Sequence, residues 1–218
     1  KIGEQKFKKF LESTKLLKSP ELEVEEVGVP LKIKWNKCKL ETIAFGHGIT
    51  TTPLQAATTY SAITNGGKLI RPSLVKDRKI TKSKNLISSK TSKTINDILR
   101  KVVSSKNGTA FFANKNGYYV GGKTGTAEGY RDKKDRINTF ISVFPTNKPK
   151  YTLLVMLENP QINKDLIYDY RGIKTKAPYN TSGWNSVYVA GKIIEKIGPI
   201  LAINNDEFTD QNVVEKFN

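Results

Sequence analysis

The 218-residue sequence contains one cysteine, one histidine and no long apolar run. A lone Cys38 excludes a disulfide within the chain, and we interpret it as a partly buried structural thiol rather than a nucleophile. With His47 as the only histidine, a metal site would have to use carboxylates almost alone, and no such cluster stands out. No metal or cofactor is therefore expected. No apolar stretch approaches the roughly 18–20 residues that a membrane-spanning helix needs.

Acidic residues are also scarce, with 20 Asp and Glu against 37 Lys and Arg and a formal net charge of +17. The basic residues are mostly lysine and are spread along the chain, whereas nucleic-acid-binding proteins tend to cluster their charge and to use arginine. We interpret the excess as a lysine-rich solvated surface, with attraction to an anionic surface or polymer as the alternative. No nucleic-acid partner is expected, because only the net charge supports one.

Three helices are predicted from apolar residues at helical spacing and a fourth from its start and end signals. Residues 18–41 are expected to form an irregular connection, and the polar residues 77–90 a surface connection. The helices are expected over about residues 3–17, 53–63, 92–105 and 185–202. The second helix has a recognisable start, with Thr52 as N-cap, Pro53 in the first turn and Gln55 closing a capping box. Asn65-Gly66-Gly67 is typical of a helix end.

Three β-rich runs lie between the third and fourth of these helices. They begin at Tyr118, Ile137 and Tyr151, and their close succession predicts an antiparallel meander. Residues 160–183 are expected to form a loop. Since no internal repeat is present, the pattern predicts one domain of α/β layers over residues 1–202, followed by a polar tail over residues 203–218.

The first of these strands contains the segment Lys123-Thr124-Gly125-Thr126. On a strand, Lys123 and Gly125 point to one face, and Thr124 and Thr126 point to the other. A glycine inside a strand weakens it, so it often marks a place where something approaches the backbone closely. A cation, hydroxyls and an approachable edge suit an extended peptide that ends in a carboxylate. The alternative is a strand end with a glycine bulge.

The context of Lys-Thr-Gly resembles that of the penicillin-recognising serine enzymes, in which this motif accompanies Ser-x-x-Lys and a Ser-x-Asn type element. The match includes Gly46–Gln55 and Tyr60–Pro72, which are similar to the helix and strand between the second and third motifs of class B penicillin-binding proteins. Gly108-Thr109-Ala110, Phe144-Pro145 and Thr181–Asn185 fit the same order. The detail resembles the division-specific penicillin-binding protein of α-proteobacteria.

The resemblance implies a partial serine β-lactamase/penicillin-binding-protein transpeptidase fold of the α/β class, with an antiparallel sheet and helices on both faces. It implies a D,D-transpeptidase that cross-links peptidoglycan stem peptides during septal wall synthesis, binds β-lactams and works with divisome proteins at the periplasmic face of the inner membrane. By the same resemblance, Lys123 supplies positive potential, Thr124 and Thr126 hold the substrate carboxylate beside Gly125, and the Thr126 N–H completes an oxyanion hole.

One feature departs from the family pattern. The only Ser-x-x-Lys is Ser73-Leu74-Val75-Lys76, which follows Pro72 where the family has a strand, so Ser73 is not expected to be the nucleophile. We expect the serine nucleophile and general-base lysine to belong to a missing N-terminal part and the chain alone to be inactive. The first two motifs are predicted to be absent. His47 is interpreted as a turn residue, and Trp35 and Trp184 as packing residues.

Two other classes of function stay open from the sequence. The chain could be a non-catalytic module of the same fold that binds peptidoglycan stems or partner proteins. It could also be a basic nucleic-acid-binding protein, which only the net charge favours.

Overall fold

A computed structural model describes residues 2–36, 38–78, 84–128 and 135–203. The described backbone groups into two compact units, divided between Ile95 and Asn96, which are described separately below. The expectation of a single domain over residues 1–202 stays a prediction, and the polar tail lies almost entirely outside the described residues. Among the described helices, none combines the length and apolar character required to cross a bilayer.

The first unit is mainly helical. It contains α1 (Glu4–Ser13), α2 (Lys39–Ala44), α3 (Pro53–Thr64) and the paired two-residue strands β1 (Lys68–Leu69) and β2 (Lys84–Asn85), and it ends within α4 (Ser89–Ser104). Strand β2 and the first three residues of α2 lie in segments that were predicted to be connections. They are short elements, which carry too few residues to show a period.

Helix α1 ends four residues earlier than predicted. Leu11 and Thr14 of the predicted apolar face are buried, but Phe10 is 41% exposed. The chain leaves the helix at Lys15, whose φ of +57° is left-handed. Because a non-glycine residue in that region interrupts the helix, the pattern beyond Ser13 does not continue as helix.

Helix α3 begins as predicted, but its capping box is only half formed. The Thr52 hydroxyl accepts a hydrogen bond from the Gln55 backbone N–H at 3.1 Å. The Gln55 side chain does not return to the cap; it donates instead to the carbonyls of Lys15 at 2.6 Å and Lys18 at 3.0 Å. The prediction of a closed box is therefore wrong, because two backbone carbonyls after α1 bind the amide instead.

The helix end at Asn65-Gly66-Gly67 is confirmed. Gly66 and Gly67 have φ values of +91° and +94°, and a Cβ on Gly67 would lie 2.1 Å from the Ile87 carbonyl oxygen. Glycine is therefore required here for both conformation and space.

The second unit contains the predicted meander. Strands β3 (Gly121–Glu128), β4 (Arg136–Phe144) and β5 (Tyr151–Glu158) form one antiparallel sheet in the order β3-β4-β5. Strand β3 starts three residues later than predicted because Tyr119 has a φ of +46°, outside the extended region. Thr146 then fixes this corner, donating from both its backbone N–H and its hydroxyl to the Tyr119 carbonyl at 3.0 Å.

The stretch 160–183, expected to be a loop, contains a small hairpin of β6 (Tyr168–Tyr170) and β7 (Ile173–Thr175). Arg171 and Gly172 form its two-residue turn with φ values of +57° and +82°. Positive φ at both positions is the type I′ arrangement that matches strand twist. The sequence signal was weak because arginine, rather than asparagine or aspartate, fills the first turn position.

Helices lie on both faces of the sheet, as predicted. Helix α5 (Ser186–Ile203) packs on the face that carries Phe140, and the buried core includes Val187, Ala190 and Ile194. Helix α4 approaches the other face, since a Cβ on Gly121 would lie 3.0 Å from the Arg100 nitrogen. Two 3₁₀ turns, Phe111–Ala113 and Ser182–Trp184, complete this unit.

Candidate functional site

Strand β3 forms one edge of the three-stranded sheet. Its eight residues pair with β4, and no further strand lies along its other side in the part of the chain that the structure describes. At Gly125 the nearest atoms to a Cβ position are 3.8 Å away. This glycine therefore leaves the strand approachable, as an added peptide strand requires.

Two threonines of β3 are held by hydroxyl hydrogen bonds on one face of the strand. The Thr124 hydroxyl lies 3.1 Å from the hydroxyl of Thr109. The Thr126 hydroxyl accepts from the Ser182 backbone N–H at 3.2 Å. Each hydroxyl has one hydrogen to donate. In the Thr109–Thr124 pair only one hydrogen is used between the two oxygens, and Thr126 acts as an acceptor, so hydroxyl hydrogens remain for a ligand.

These threonines line a cavity of about 580 Å³. Its walls come from the loop after α4, from the end of β6 and from the 3₁₀ turn before α5. Besides Thr124 and Thr126, the lining residues are Lys106, Asn107, Gly108, Thr109, Phe111, Tyr170, Thr181, Ser182, Gly183 and Trp184. The cavity thus combines hydroxyl groups with three aromatic side chains, a composition that suits a small ligand with both polar and apolar parts.

Lys123 is placed differently from the threonines. Its ammonium donates to the Thr124 carbonyl oxygen at 2.6 Å, and the side chain is exposed. Lys123 and Gly125 are not among the lining residues of the cavity. The alternation predicted from the strand is therefore observed: the structure brings the two threonines together and places the lysine on the other face.

A polar layer supports the site from behind. The Ser182 hydroxyl donates to the Thr139 carbonyl of β4 at 2.7 Å and lies 2.8 Å from the buried Ser186 hydroxyl. The Asn180 side-chain oxygen accepts from the amides of Asn138, at 3.2 Å, and Asn185, at 3.0 Å. These bonds fix the turn that presents its Ser182 N–H to Thr126.

Arg171 packs against two aromatic side chains of the cavity wall. The Arg171 guanidinium lies 4.4 Å from the Phe111 ring centroid and 5.3 Å from that of Tyr170. It also donates to the Ser105 carbonyl at 2.9 Å. Trp184 packs edge-on to Phe112 with centroids 5.4 Å apart, which agrees with its interpretation as a packing residue, although it also lines the cavity.

Sequence reasoning missed the partners of the two threonines. Thr109 and Ser182 stand in segments that carry the family resemblance, Gly108-Thr109-Ala110 and Thr181–Asn185, but neither was given a role. The sequence signal was that each stands next to a glycine. The structure shows why: Cβ atoms at Gly108 and Gly183 would lie 2.3 Å and 2.7 Å from the backbone oxygens of Val102 and Thr109, so the chain passes closely at both places.

Other candidate residues belong to the first unit and are not among the lining residues of this cavity. Ser73 donates to Glu23 at 2.9 Å and follows Pro72 in an irregular segment, with no helix to present it. Cys38 is exposed, so its expected partial burial is wrong; it stands in the open at the start of α2. The His47 ring stacks on Phe45 with centroids 6.2 Å apart. No group of metal-binding side chains occurs in the described residues.

The prediction that the chain has no Ser-x-Asn element is wrong for the sequence itself, because two such tripeptides occur in it. They are Ser83-Lys84-Asn85 and Ser105-Lys106-Asn107. Ser83 lies outside the described residues. Lys106 and Asn107 line the cavity, whereas Ser105 follows the last turn of α4 and its carbonyl accepts from Arg171.

The second unit thus has an antiparallel sheet with helices on both faces and an edge strand whose threonine hydroxyls line a cavity. The model of the penicillin-binding protein transpeptidase domain matches residues 1–181. The chain belongs to this family, as its motifs predicted.

Curated relatives agree with the family match. The chain is 29% identical over 220 residues to a probable peptidoglycan D,D-transpeptidase FtsI of Caulobacter vibrioides, covering 93% of this chain and 35% of the relative. It is 37% identical over 136 residues to the stage V sporulation protein D of Bacillus subtilis, covering 55% of this chain and 21% of that protein. The chain thus spans about a third or less of these relatives.

Solved structures show the same fold at lower identity. Penicillin-binding protein 3 of Mycobacterium tuberculosis, complexed with aztreonam, superposes with a TM-score of 0.73 at 22% identity, covering 90% of this chain and 47% of that one. The transpeptidase domain of Burkholderia pseudomallei penicillin-binding protein 3 gives a TM-score of 0.72 at 20% identity, covering 90% and 57%.

Proposed function

We propose that this chain supplies the substrate-binding strand of a serine-type peptidoglycan D,D-transpeptidase that acts in cell division. The observation that carries the proposal is the edge strand β3, which turns the hydroxyls of Thr124 and Thr126 into one cavity. The family match and the relatives named as D,D-transpeptidases support it. The natural ligands are then peptidoglycan stem peptides, with β-lactams as mimics, at the periplasmic face of the inner membrane.

In this proposal the stem peptide lies along the free edge of β3, and its terminal carboxylate accepts hydrogen bonds from the Thr124 and Thr126 hydroxyls. Lys123 adds positive potential from the other face of the strand. Gly125 leaves room for the peptide backbone, because a Cβ position there has no neighbour closer than 3.8 Å. These contacts hold the scissile carbonyl beside the strand, which is the positioning that acyl transfer requires.

The proposed chemistry proceeds through an acyl-enzyme. A serine attacks the carbonyl of the penultimate D-alanine, D-alanine leaves, and the amine of a second stem peptide takes the acyl group. The Thr126 N–H donates to the oxyanion that forms in each step, and such a donor contributes roughly 3 kcal/mol in the transition state. The serine and its lysine base are assigned to residues that precede this chain in the family order, so the chain alone is expected to bind without reacting.

The binding half of the proposal is tested with the 218-residue chain itself. Trp184 lines the cavity and its fluorescence reports ligand entry once Trp35, the only other tryptophan, is replaced by phenylalanine. In this background Thr124→Val and Thr126→Val each keep the side-chain shape and remove a hydroxyl. Each is expected to weaken binding of an acetylated peptide ending in two D-alanines about tenfold, since a hydrogen bond to a charged group contributes roughly 1.5 kcal/mol or more.

The matched control is Thr175→Val on strand β7, which removes a hydroxyl outside the cavity lining. Its affinity should equal that of the parent. An amidated peptide, which lacks the carboxylate, should bind weakly to every variant. Equal affinities for acid and amide would contradict the proposed carboxylate site. The chemical half is tested with a fluorescent penicillin: a denaturant-resistant label on the isolated chain would contradict its expected inactivity.

A further inference from the structure

The cavity beside β3 has one charged side chain among its described lining residues, and it belongs to neither the strand nor the Lys-Thr-Gly motif. Lys106 lies in the short loop after α4 and is exposed. No described ion pair involves it, and no acidic side chain lines the cavity with it. An anion in the cavity could therefore pair with the Lys106 ammonium without breaking an ion pair that is already present among the described residues.

The loop that carries Lys106 is held in a defined place. The Gly108 N–H donates to the Ser105 carbonyl at 3.0 Å, and the Ala110 N–H donates to the Val102 carbonyl at 3.2 Å. A Cβ on Gly108 would lie 2.3 Å from that same Val102 oxygen, so only glycine allows this close return of the chain. Arg171 fixes the other side of the loop by its bond to the Ser105 carbonyl.

The charge of Lys106 is not needed for the carboxylate assigned to the threonines. Two hydroxyl hydrogens match the two oxygens of one carboxylate, and Lys123 already lies on the same strand. Lys106 adds an ammonium with three donors on a flexible stem, reaching the cavity from a different element. This arrangement suits a ligand that carries a second anionic group.

We propose that Lys106 is a specificity-determining residue that binds a second carboxylate of the peptide ligand, so that the cavity prefers peptides with an acidic side chain near their carboxyl end. The inference rests on the proposed function, because it assumes that a carboxylate-ended peptide enters beside β3. It adds a residue outside the family motif that selects among such peptides by a second negative charge.

The test compares acetylated tetrapeptides that end in two D-alanines and carry one glutamate at the first or second position, each with a matched glutamine peptide. Binding is followed by Trp184 fluorescence in the Trp35→Phe chain. The parent is expected to prefer at least one glutamate peptide about three- to fivefold, as expected for a solvent-accessible ion pair. Lys106→Gln should remove this preference, and Lys106→Glu should invert it. Added salt should reduce it in the parent.

The control variant is Lys101→Gln, which removes one positive charge from α4 at an exposed position outside the cavity lining. It should keep the full preference for glutamate. If the parent binds both members of every pair equally, or if Lys106→Gln keeps the preference, the role of Lys106 is overturned while the carboxylate site stands. If Lys101→Gln lowers the preference as much as Lys106→Gln, the effect is one of general charge and the inference fails. If no peptide binds, the proposed function fails and this inference falls with it.

Discussion

The two ends of strand β3 use glycine for opposite purposes. At the buried end, a Cβ on Gly121 would lie 2.4 Å from the Thr146 side chain, and one on Gly122 would lie 2.5 Å from the Phe140 ring. At the exposed end, a Cβ on Gly125 would have no neighbouring atom closer than 3.8 Å. The first pair lets the core close over the strand, and the third glycine leaves the edge open. Within one Gly-Gly-x-x-Gly segment, the first two glycines allow close packing and the last leaves the strand accessible to a ligand.

The two ends of β3 also differ in their contacts: core packing holds the buried end, and hydrogen bonds position the side chains of the open end. Phe140, fully buried, occupies the space beside Gly122, whereas Thr124 and Thr126 are held by hydroxyl bonds from other segments. A rigid buried end gives the open end a fixed register on β4. We therefore expect substitutions at the buried end to act on stability and substitutions at the open end to act on binding.

The largest expected effect comes from Gly122→Ala. The added Cβ would meet the Phe140 ring at 2.5 Å and the Ile141 carbonyl oxygen at 2.7 Å, so either the ring or the backbone must move. The free energy of unfolding should fall by roughly 1–3 kcal/mol, the usual cost of overpacking a core. Urea denaturation followed by circular dichroism measures it.

Gly125→Ala is the matched control on the same strand. It should leave stability unchanged or raise it slightly, because the site is open and its φ is not left-handed. It should weaken binding of the D-alanine-ended peptide instead. A double-mutant cycle with Phe140→Leu sharpens the comparison: removing the ring should reduce the cost of Gly122→Ala. Equal stabilities for the two alanine variants would contradict the contrast between the ends of β3.

A smaller effect is expected from Arg171→Lys, which tests the support of the open end. Lysine keeps the charge but loses the flat guanidinium that covers Phe111 at 4.4 Å and donates to the Ser105 carbonyl. The loss of stability should be about 1 kcal/mol. Hydrogen exchange should show faster exchange in hairpin β6–β7 and in the loop after Ser105, with little change in the β3–β4 ladder.

Arg136→Lys at the start of β4 serves as the control for this change, since Arg136 makes no described contact with the cavity wall. If both variants lose the same protection, or if Arg171→Lys loosens β3 near Gly122 as well, the arginine supports the whole unit and not the open end alone.

Apolar residues at helical spacing made α4 and α5 predictable, and start and end signals made α3 predictable. Three β-rich runs predicted the meander, and strand alternation predicted the face on which Thr124 and Thr126 lie. The elements that were missed depend on few residues or on distant partners. Helix α2 has six residues, and the strands of hairpin β6–β7 have three each. The Gln55 amide binds carbonyls 37 and 40 residues earlier in the chain. Such pairings appear only once the chain has folded.

The same reason explains which parts of the site were found. The motif identified the residues of the strand, because their order along the chain carries the information. It did not identify Thr109, 15 residues before its partner Thr124, or Ser182, 56 residues after Thr126. The Lys106 charge was hidden in an overall excess of lysine, and only its place in the cavity distinguishes it from the rest.

The smallest expected effect is a response of hairpin β6–β7 to acid. The Asp169 carboxylate accepts from the Lys174 ammonium at 2.8 Å and from the Gly172 N–H at 2.9 Å. The hydrogen bond from Lys174, then that from Gly172, lowers the pKa of Asp169 below its ordinary value of 3.8. A lowered pKa in the folded hairpin means that the ionised form stabilises it above about pH 4 and that this contribution is lost as the pH falls through the lowered value.

Because Asp169 is exposed, the change should appear as local opening of the hairpin and not as global unfolding. Amide NMR of Gly172 should show a titration below pH 3.8 that Asp169→Asn abolishes, whereas the control Asp165→Asn keeps it. The β3–β4 ladder near Gly122 should stay protected over the same range, since its closure depends on Phe140 and on backbone contacts. If the ladder at Gly122 opens together with the hairpin, the buried end of β3 depends on the support of the open end, and the two ends are one cooperative unit.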